Sequence, residues 1–318
     1  MTAQSYFHEY FKDWIETYKH GAVRPITYQK YQMTLRRLSE LAPNIKICEI
    51  NKRTYQTLIN EYAKTHEKQT TTDFHHQLKG AILDAMDEGL IRIDPTRKIV
   101  IKGKLSSKKK HKFLSILELH ALLNALDLRI NNDKEQSGNG KYHVPAFWDW
   151  AILLMAKTGL RFSEALGLTQ NDFDFSEMTI KITKTWNYKD GGGFAETKNN
   201  SSKRIVLIDE KLNMQLREFI ESREIRETPV FVRGRVFNST INSRLKALCQ
   251  RANIPVISAH GLRHTHASHL LHAGISIASI AKRLGHANTT TTQGTYLHII
   301  KELEVRDNEK ILCALGAL

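Results

Sequence analysis

Along the first hundred positions, apolar side chains recur every three or four residues, the period of a helix with one buried face. Phe7, Tyr10, Phe11, Trp14 and Tyr18 form an aromatic stripe over residues 4–18, which reads as helix core rather than a platform for stacking bases. Pro25 at a helix start, followed by Tyr28, Tyr31, Leu35, Leu38 and Leu41, predicts a second helix that Pro43 closes. Asn51 can cap a third with Tyr55, Leu58, Ile59 and Tyr62. Thr70–Thr72 can cap a fourth with Phe74, Leu78, Ile82, Leu83 and Met86, stopping at Gly89. The pattern predicts a four-helix module over residues 1–104, followed by a polar, basic linker at 105–112.

The remainder, 113–318, mixes periods. Ser115–Leu128 reads as a helix, 131–141 as a polar Gly/Asn loop, and Phe147–Lys157 as a buried helix with Gly159 its natural C′ residue. Met178–Trp186 alternates, Ile180 and Ile182 against Lys181 and Thr183, as a half-buried strand does. Lys203–Ile208 gives another strand after a Gly-rich connection. Leu212–Ile220 and Ile241–Ala252 are amphipathic helices. The run from His260 reads as a helix stopped at Gly274, then a second capped by Ser276 and ended by Gly285, then a short segment carrying Tyr296. The expected fold is therefore mainly α with a small antiparallel β-sheet.

Composition narrows the class. A chain of 318 residues with 41% hydrophobic content has length for two cores. A net charge of +14 favours a polyanionic partner, with nucleic acid foremost. Lys108, Lys109, Lys110, Lys112, Arg204 and Arg244 are the candidate DNA contacts; solvation is the ordinary alternative for each. Cys48, Cys249 and Cys313 have neither disulfide nor metal spacing and fit a reducing compartment. The N-terminus lacks the basic head and apolar core of a signal peptide, and no apolar run is long enough for a membrane span.

Four short runs carry candidate chemistry. Thr158–Leu168 sets Arg161 between a helix end and the next helix, where pairing with Glu164 would explain it in isolation. Downstream stand His260-Gly-Leu-Arg263, Leu284-Gly-His286 and Tyr296-Leu-His298. On a helix His260 and Arg263 share a face, a cation beside an imidazole, which suits a phosphate.

Those three pieces, in register over fewer than about forty residues, resemble the C-terminal signature of the tyrosine recombinases, the phage and transposon integrases. Arg161 lies in a run that resembles the family's first arginine motif. Glu196–Arg204 resembles its β-hairpin lysine motif, with Lys198 at the matching position and Lys189 and Lys203 as competitors. The resemblance implies a helical core-type DNA-binding domain (1–104) plus an α/β tyrosine recombinase catalytic domain (113–318). It implies a site-specific recombinase that works without metal, ATP or other cofactor through a 3′-phosphotyrosyl link. Arg161 and Arg263 would clamp the nonbridging oxygens and Lys198 would protonate the leaving 5′ oxygen. His260 would help move the tyrosine's proton, His286 would hydrogen-bond the phosphate or orient the nucleophile, and Tyr296 would attack.

Expected partners are double-stranded DNA at attachment-type sites, three further copies in a homo-tetramer, and an excisionase or DNA-bending protein; the expected location is the cytoplasm, at the nucleoid. The tail, 299–318, charged and then apolar, either docks on a neighbouring subunit or packs on its own domain. A further arm-binding N-terminal domain, carried by many integrases, is either lacking or trimmed, since the helices begin almost at Met1. Three rivals remain. A metal site could draw on His260, His264, His266, His269 and His272, but lacks the glutamate of HExxH. A type IB topoisomerase shares the chemistry and relaxes one duplex. A basic DNA-binding regulator leaves Tyr296 and the arginines unexplained.

Overall fold

The computed structural model describes residues 2–105, 111–130, 145–197, 199–222, 228–290, 292–294, 296 and 315. The chain divides into two units, Met1–Lys109 and Lys110–Leu318.

Among its described residues the first unit contains four α-helices: α1 (Phe7–Tyr18), α2 (Pro25–Leu41), α3 (Lys52–Ala63) and α4 (Lys68–Asp87). The aromatic stripe of α1 is core, with Phe7, Tyr10, Phe11, Trp14 and Ile15 all buried. They pack with Leu38, Ile59, Leu78 and Ile82, each 0% exposed, so every such side chain stabilises by about 1.5–3 kcal/mol relative to solvent. Asn51 caps α3 as its side chain accepts from the Arg53 and Thr54 amides at 3.0 and 3.1 Å. The fourth helix starts earlier than Thr70–Thr72, with Glu67 at the N-cap. Those threonines are not caps; the Thr71 and Thr72 hydroxyls donate back to the Glu67 and Lys68 carbonyls, the bond that lets threonine sit inside a helix.

In the second unit α5 (Ile116–Asn124) is shorter than the pattern suggested and begins with a Ser115–Glu118 capping box. The central α6 (Pro145–Thr158) has Ala151–Ala156 buried all round, which is why its sequence shows no polar face. Next come α7 (Phe162–Leu166) and two small antiparallel sheets. β1 (Phe173–Asp174), β2 (Thr179–Ile182) and β5 (Arg204–Leu207) form one in the order β1-β2-β5, while β3 (Lys184–Trp186) pairs with β4 (Phe194–Glu196) in the other. The single strand expected over Met178–Trp186 is thus two, parted at Thr183. In β2 the alternation holds, Ile180 and Ile182 being buried and Lys181 exposed, and Ile182 registers with Arg204.

The end of α7 packs against β3. A Cβ on Gly167 would lie 2.8 Å from the Thr185 Cα, so the helix end fits against β3 only because that residue has no side chain. Among the described residues the unit continues with α8 (Glu210–Glu221), α9 (Asn238–Arg251), α10 (Ala259–His272) and α11 (Ile277–Leu284). Helix α10 lies along α6. Ser258 and Ser276 cap α10 and α11 through the amides of Gly261 and Ser279. The mainly helical reading with a small antiparallel sheet therefore holds.

Candidate active site

Helix α6 ends where Gly159 turns to a φ of 70°, and its carbonyl accepts from Arg263 Nη1 at 2.9 Å. Arg263, on α10, is 3% exposed; burial first and the Arg161 charge second push its guanidinium down to about 9. A Cβ at Gly159 would lie 2.8 Å from both His266 Cδ2 and Leu284 Cδ2. Gly159→Ala is accordingly expected to destabilise the second unit by roughly 2–3 kcal/mol, from left-handed strain plus overpacking, read as a lower Tm. A melting temperature equal to wild type would count against this tight contact between α6, α10 and α11.

Arg161 itself is the N-cap residue of α7. Its amide donates to Glu164 Oε2 at 2.9 Å and its Nη1 to Oε1 at 2.6 Å. Arg204, from β5, donates to the same carboxylate through Nη1 at 3.2 Å and Nη2 at 3.0 Å. The four acceptor positions of a carboxylate are thereby filled. Burial works to raise the Glu164 carboxyl, but the Arg204 hydrogen bonds and both guanidinium charges outweigh it, and the group is held below its usual range.

The C-terminus of α11 orders these cations. Arg283, Leu284 and Gly285 offer three successive carbonyls, which accept from Arg204 Nε at 2.6 Å, Arg263 Nη2 at 2.7 Å and Arg161 Nη2 at 3.4 Å. Such carbonyls have no partner within the helix, and together they form its negative pole. The helix pole therefore offsets part of the repulsion between the guanidiniums. Gly285 takes the left-handed conformation that ends the helix, with φ 70°. Arg283 holds α11 in place by donating to His266 Nε2 at 2.9 Å and to the Leu207 carbonyl at 3.0 Å. His266, buried and pushed down to about 3 by that burial and then by the Arg283 charge, is neutral and sits 3.2 Å from the Ala156 carbonyl through Nδ1.

Just past α11, His286 is half-buried with Nδ1 2.6 Å from Thr292 Oγ1. Burial and then the charges of Arg263 and Arg161 push it down to about 4. The described residues of 289–296 are helical, and Tyr296 among them is 2% exposed. Burial pushes its phenol up to about 12 while the Arg263 charge pulls the other way. The Tyr296 hydroxyl lies 2.9 Å from His264 Nδ1. His260 presents its ring edge-on to His264, with centroids 4.7 Å apart and an interplanar angle of 89°. Although His260 meets solvent, desolvation of part of its ring and the charges of Arg263 and Arg161 hold it below the usual histidine range.

Five of the six residues singled out for chemistry thus occupy one region of the second unit: Arg161, His260, Arg263, His286 and Tyr296. The sixth, Lys198, lies outside the described residues, as do Lys108, Lys109 and Lys110. Lys112 is described and exposed. Its carbonyl would stand 3.1 Å from a Cβ on Gly261 of α10, and its charge reaches His264.

Two candidate DNA contacts are corrected. Arg204 has a side chain 5% exposed and spent on Glu164 and main-chain carbonyls. Arg244 donates from Nε and Nη2 to the fully buried Asp149, each at 2.7 Å. Both cations neutralise interior carboxylates, which sequence cannot distinguish from a polar helix or strand face. Sequence also passed over Glu164 as the shared acceptor and His264 as the phenol's partner. His264 does follow His260 by one helical turn and Arg263 directly, which is signal enough to place it nearby. Among the described residues no group of three His, Cys, Asp or Glu could hold a metal ion, so the histidines of α10 find no third ligand there. Among the same residues no helix is long and apolar enough to cross a membrane.

Residues 113–302 match the phage integrase family, and residues 6–63 match a phage integrase N-terminal SAM-like domain. The integrase of Staphylococcus phage L54a is 26% identical over 330 residues, spanning 96% of this chain and 92% of that protein. The tyrosine recombinase XerC of Bacillus subtilis is 29% identical over 77% of this chain and 75% of that protein. Among solved structures, the Tn1549 transposon integrase with transposon right end DNA superposes with a TM-score of 0.75 at 19% identity, covering 95% of this chain and 99% of that one. A lambda integrase dimer bound to a COC′ core site gives 0.62 at 12% identity, covering 90% and 97%. At those identities the two structures speak for the fold.

Proposed function

Because the chain belongs to the phage integrase family, we propose that it cuts and rejoins DNA strands through a 3′-phosphotyrosyl intermediate formed on Tyr296. It is a site-specific tyrosine recombinase, of the kind that integrates and excises phage genomes or other mobile elements. Its substrate is double-stranded DNA carrying attachment-type sites, and four copies act together on two duplexes. An excisionase or DNA-bending protein is a further partner. The work is done in the cytoplasm, at the nucleoid. The helical first unit acts as the core-type DNA-binding domain, a reading supported by the SAM-like match over residues 6–63.

The observation that carries this reading is a buried phenol, Tyr296, in the field of the buried Arg263 guanidinium, whose charge pulls the phenol down against the effect of burial. A phosphodiester resists attack because its charge repels nucleophiles and its alkoxide leaves poorly. Arg161 and Arg263 neutralise the nonbridging oxygens with forked donors and hold the charge that develops in the transition state. His286 hydrogen-bonds one of those oxygens or orients the nucleophile. Lys198, in the segment after β4, protonates the departing 5′ oxygen, its own pKa lowered by the guanidinium charges. Tyr296 retains the 3′ phosphate, so a 5′ hydroxyl from another strand can reverse the step and complete the exchange.

A junction sequenced from two site-bearing DNAs incubated with the protein tests the function as a whole. Recombinant joints with one fixed overlap are expected. Relaxed supercoils without joints would make the protein a topoisomerase instead. Arg161→Lys is expected to slow strand cleavage by on the order of 10²-fold or more while DNA affinity stays within a few-fold, since a point charge keeps the attraction and loses the fork. Single-turnover cleavage beside a binding titration reads both, and equal losses in the two would remove Arg161 from the clamp.

A further inference from the structure

We propose that His264, rather than His260, takes the proton from the Tyr296 hydroxyl as its oxygen attacks phosphorus. The inference rests on the recombinase reading given above and names a group that reading leaves open. Helix α10 presents His260, Arg263 and His264 within five residues, and the ring that meets the phenol is the last of these. A hydroxyl on a residue 2% exposed has to place its hydrogen on an acceptor, and His264 Nδ1 stands 2.9 Å away. The two rings meet at 65° with centroids 5.8 Å apart, so the phenol lies near the edge of the imidazole, where the ring nitrogen's lone pair points. The tautomer that accepts here carries its proton on Nε2. His260 packs edge-on with His264 and is exposed, one ring removed from the hydrogen bond.

Charge supports the direction of transfer. Burial, then the neighbouring His260, Arg263 and Lys112, push His264 down to about 4, so the imidazole is neutral near pH 7 and its lone pair is free to accept. With the phenol up at about 12, the resting pair keeps its proton on oxygen. A phosphate arriving between Arg161 and Arg263 brings the negative charge that offsets those cations and raises the basicity of His264. The proton then moves only as the new bond forms. In the balanced step Tyr296 Oη bonds to phosphorus, its proton passes to His264 Nδ1, the P–O5′ bond breaks, and the 5′ oxygen takes a proton from the general acid. In the reverse step an attacking 5′ hydroxyl displaces Tyr296, and the His264 imidazolium returns the proton to the departing phenolate.

The test uses the full chain and His264→Asn, whose side-chain oxygen can accept the same hydrogen bond without becoming a usable base. On a nicked suicide duplex the variant is expected to bind normally and to form the covalent adduct about 10²–10⁴-fold more slowly, the range of general-base catalysis. A second substrate ends in a 3′ p-nitrophenyl phosphodiester, which a 5′ hydroxyl joins directly. Its leaving group needs no proton and Tyr296 takes no part, so the variant is expected to join it at close to the wild-type rate. Equal losses on both substrates would make His264 a structural residue and overturn the proposal. Adduct formation at the wild-type rate would overturn it as well. If the unaltered protein formed no adduct, the recombinase reading itself would fall; an active wild type with an unimpaired variant would sink this inference alone.

Discussion

Tyr296→Phe is expected to abolish the covalent protein–DNA adduct on a suicide substrate, a loss on the order of 10⁴-fold or greater, with DNA affinity unchanged. The phenol oxygen is the only atom removed, and the ring's packing with Ala267, Leu271, Ile280 and Leu284 survives. Losing the hydrogen bond to His264 costs about 1 kcal/mol of stability, too little to unfold the unit. No nearby tyrosine can stand in. The preceding one, Tyr188, packs its ring edge against Phe162 with centroids 5.1 Å apart, and none follows Tyr296. Adduct persisting in the variant, located by digestion of the labelled complex, would transfer the nucleophile's role to another residue.

The second large effect is expected from Glu164→Leu. Its carboxylate is 1% exposed and accepts from Arg161 and from an Arg204 side chain that is itself 5% exposed. An apolar residue of similar volume fills the space and leaves a buried guanidinium without its anion, at a cost of about 3–5 kcal/mol. In a unit of this size that corresponds to a fall in Tm of roughly 6–20 °C. Cleavage should fall further than stability accounts for, because Arg161 also loses the acceptor that fixes its side chain. Thermal melts and single-turnover cleavage below the variant's transition read the two separately. A melt within about 2 °C of wild type would show that other groups neutralise Arg204.

These two residues also mark what sequence could and could not reveal. Periodicity captured α1, α2 and α3 because their buried faces repeat within a few turns, and Gly159, Gly274 and Gly285 were legible as helix stops because each takes positive φ. Where a residue's role depends on a partner far along the chain, local pattern is silent. Glu164 and Arg204 meet across 40 positions, and Arg161 and the Gly285 carbonyl across 124. Arg204 and Arg244 consequently read as surface cations. The strand over Met178–Trp186 read as one because Thr183 fits either state, and only pairing with two different partners divides it. Local reading also treated the histidines of α10 as a possible ligand cluster, when their positions relative to Tyr296 differentiate them: His264 touches the phenol, while His266 holds Arg283.

The three arginines hang on main-chain oxygens, and this has a bearing on inheritance. A peptide carbonyl is present whatever codon occupies the position, so the side chain of Leu284 can drift without altering the oxygen that steadies Arg263. Along α11 the constraint falls on Arg283, whose side chain holds the helix to His266, and on Gly285. There any Cβ would crowd Arg204 Nη1 at 3.0 Å and the Ser201 carbonyl at 3.1 Å, in a backbone conformation that other residues adopt at a penalty. A lineage could thus reshape much of the surface around α11 while the spacing of its cations, set by the peptide repeat, passes unchanged from one descendant to the next.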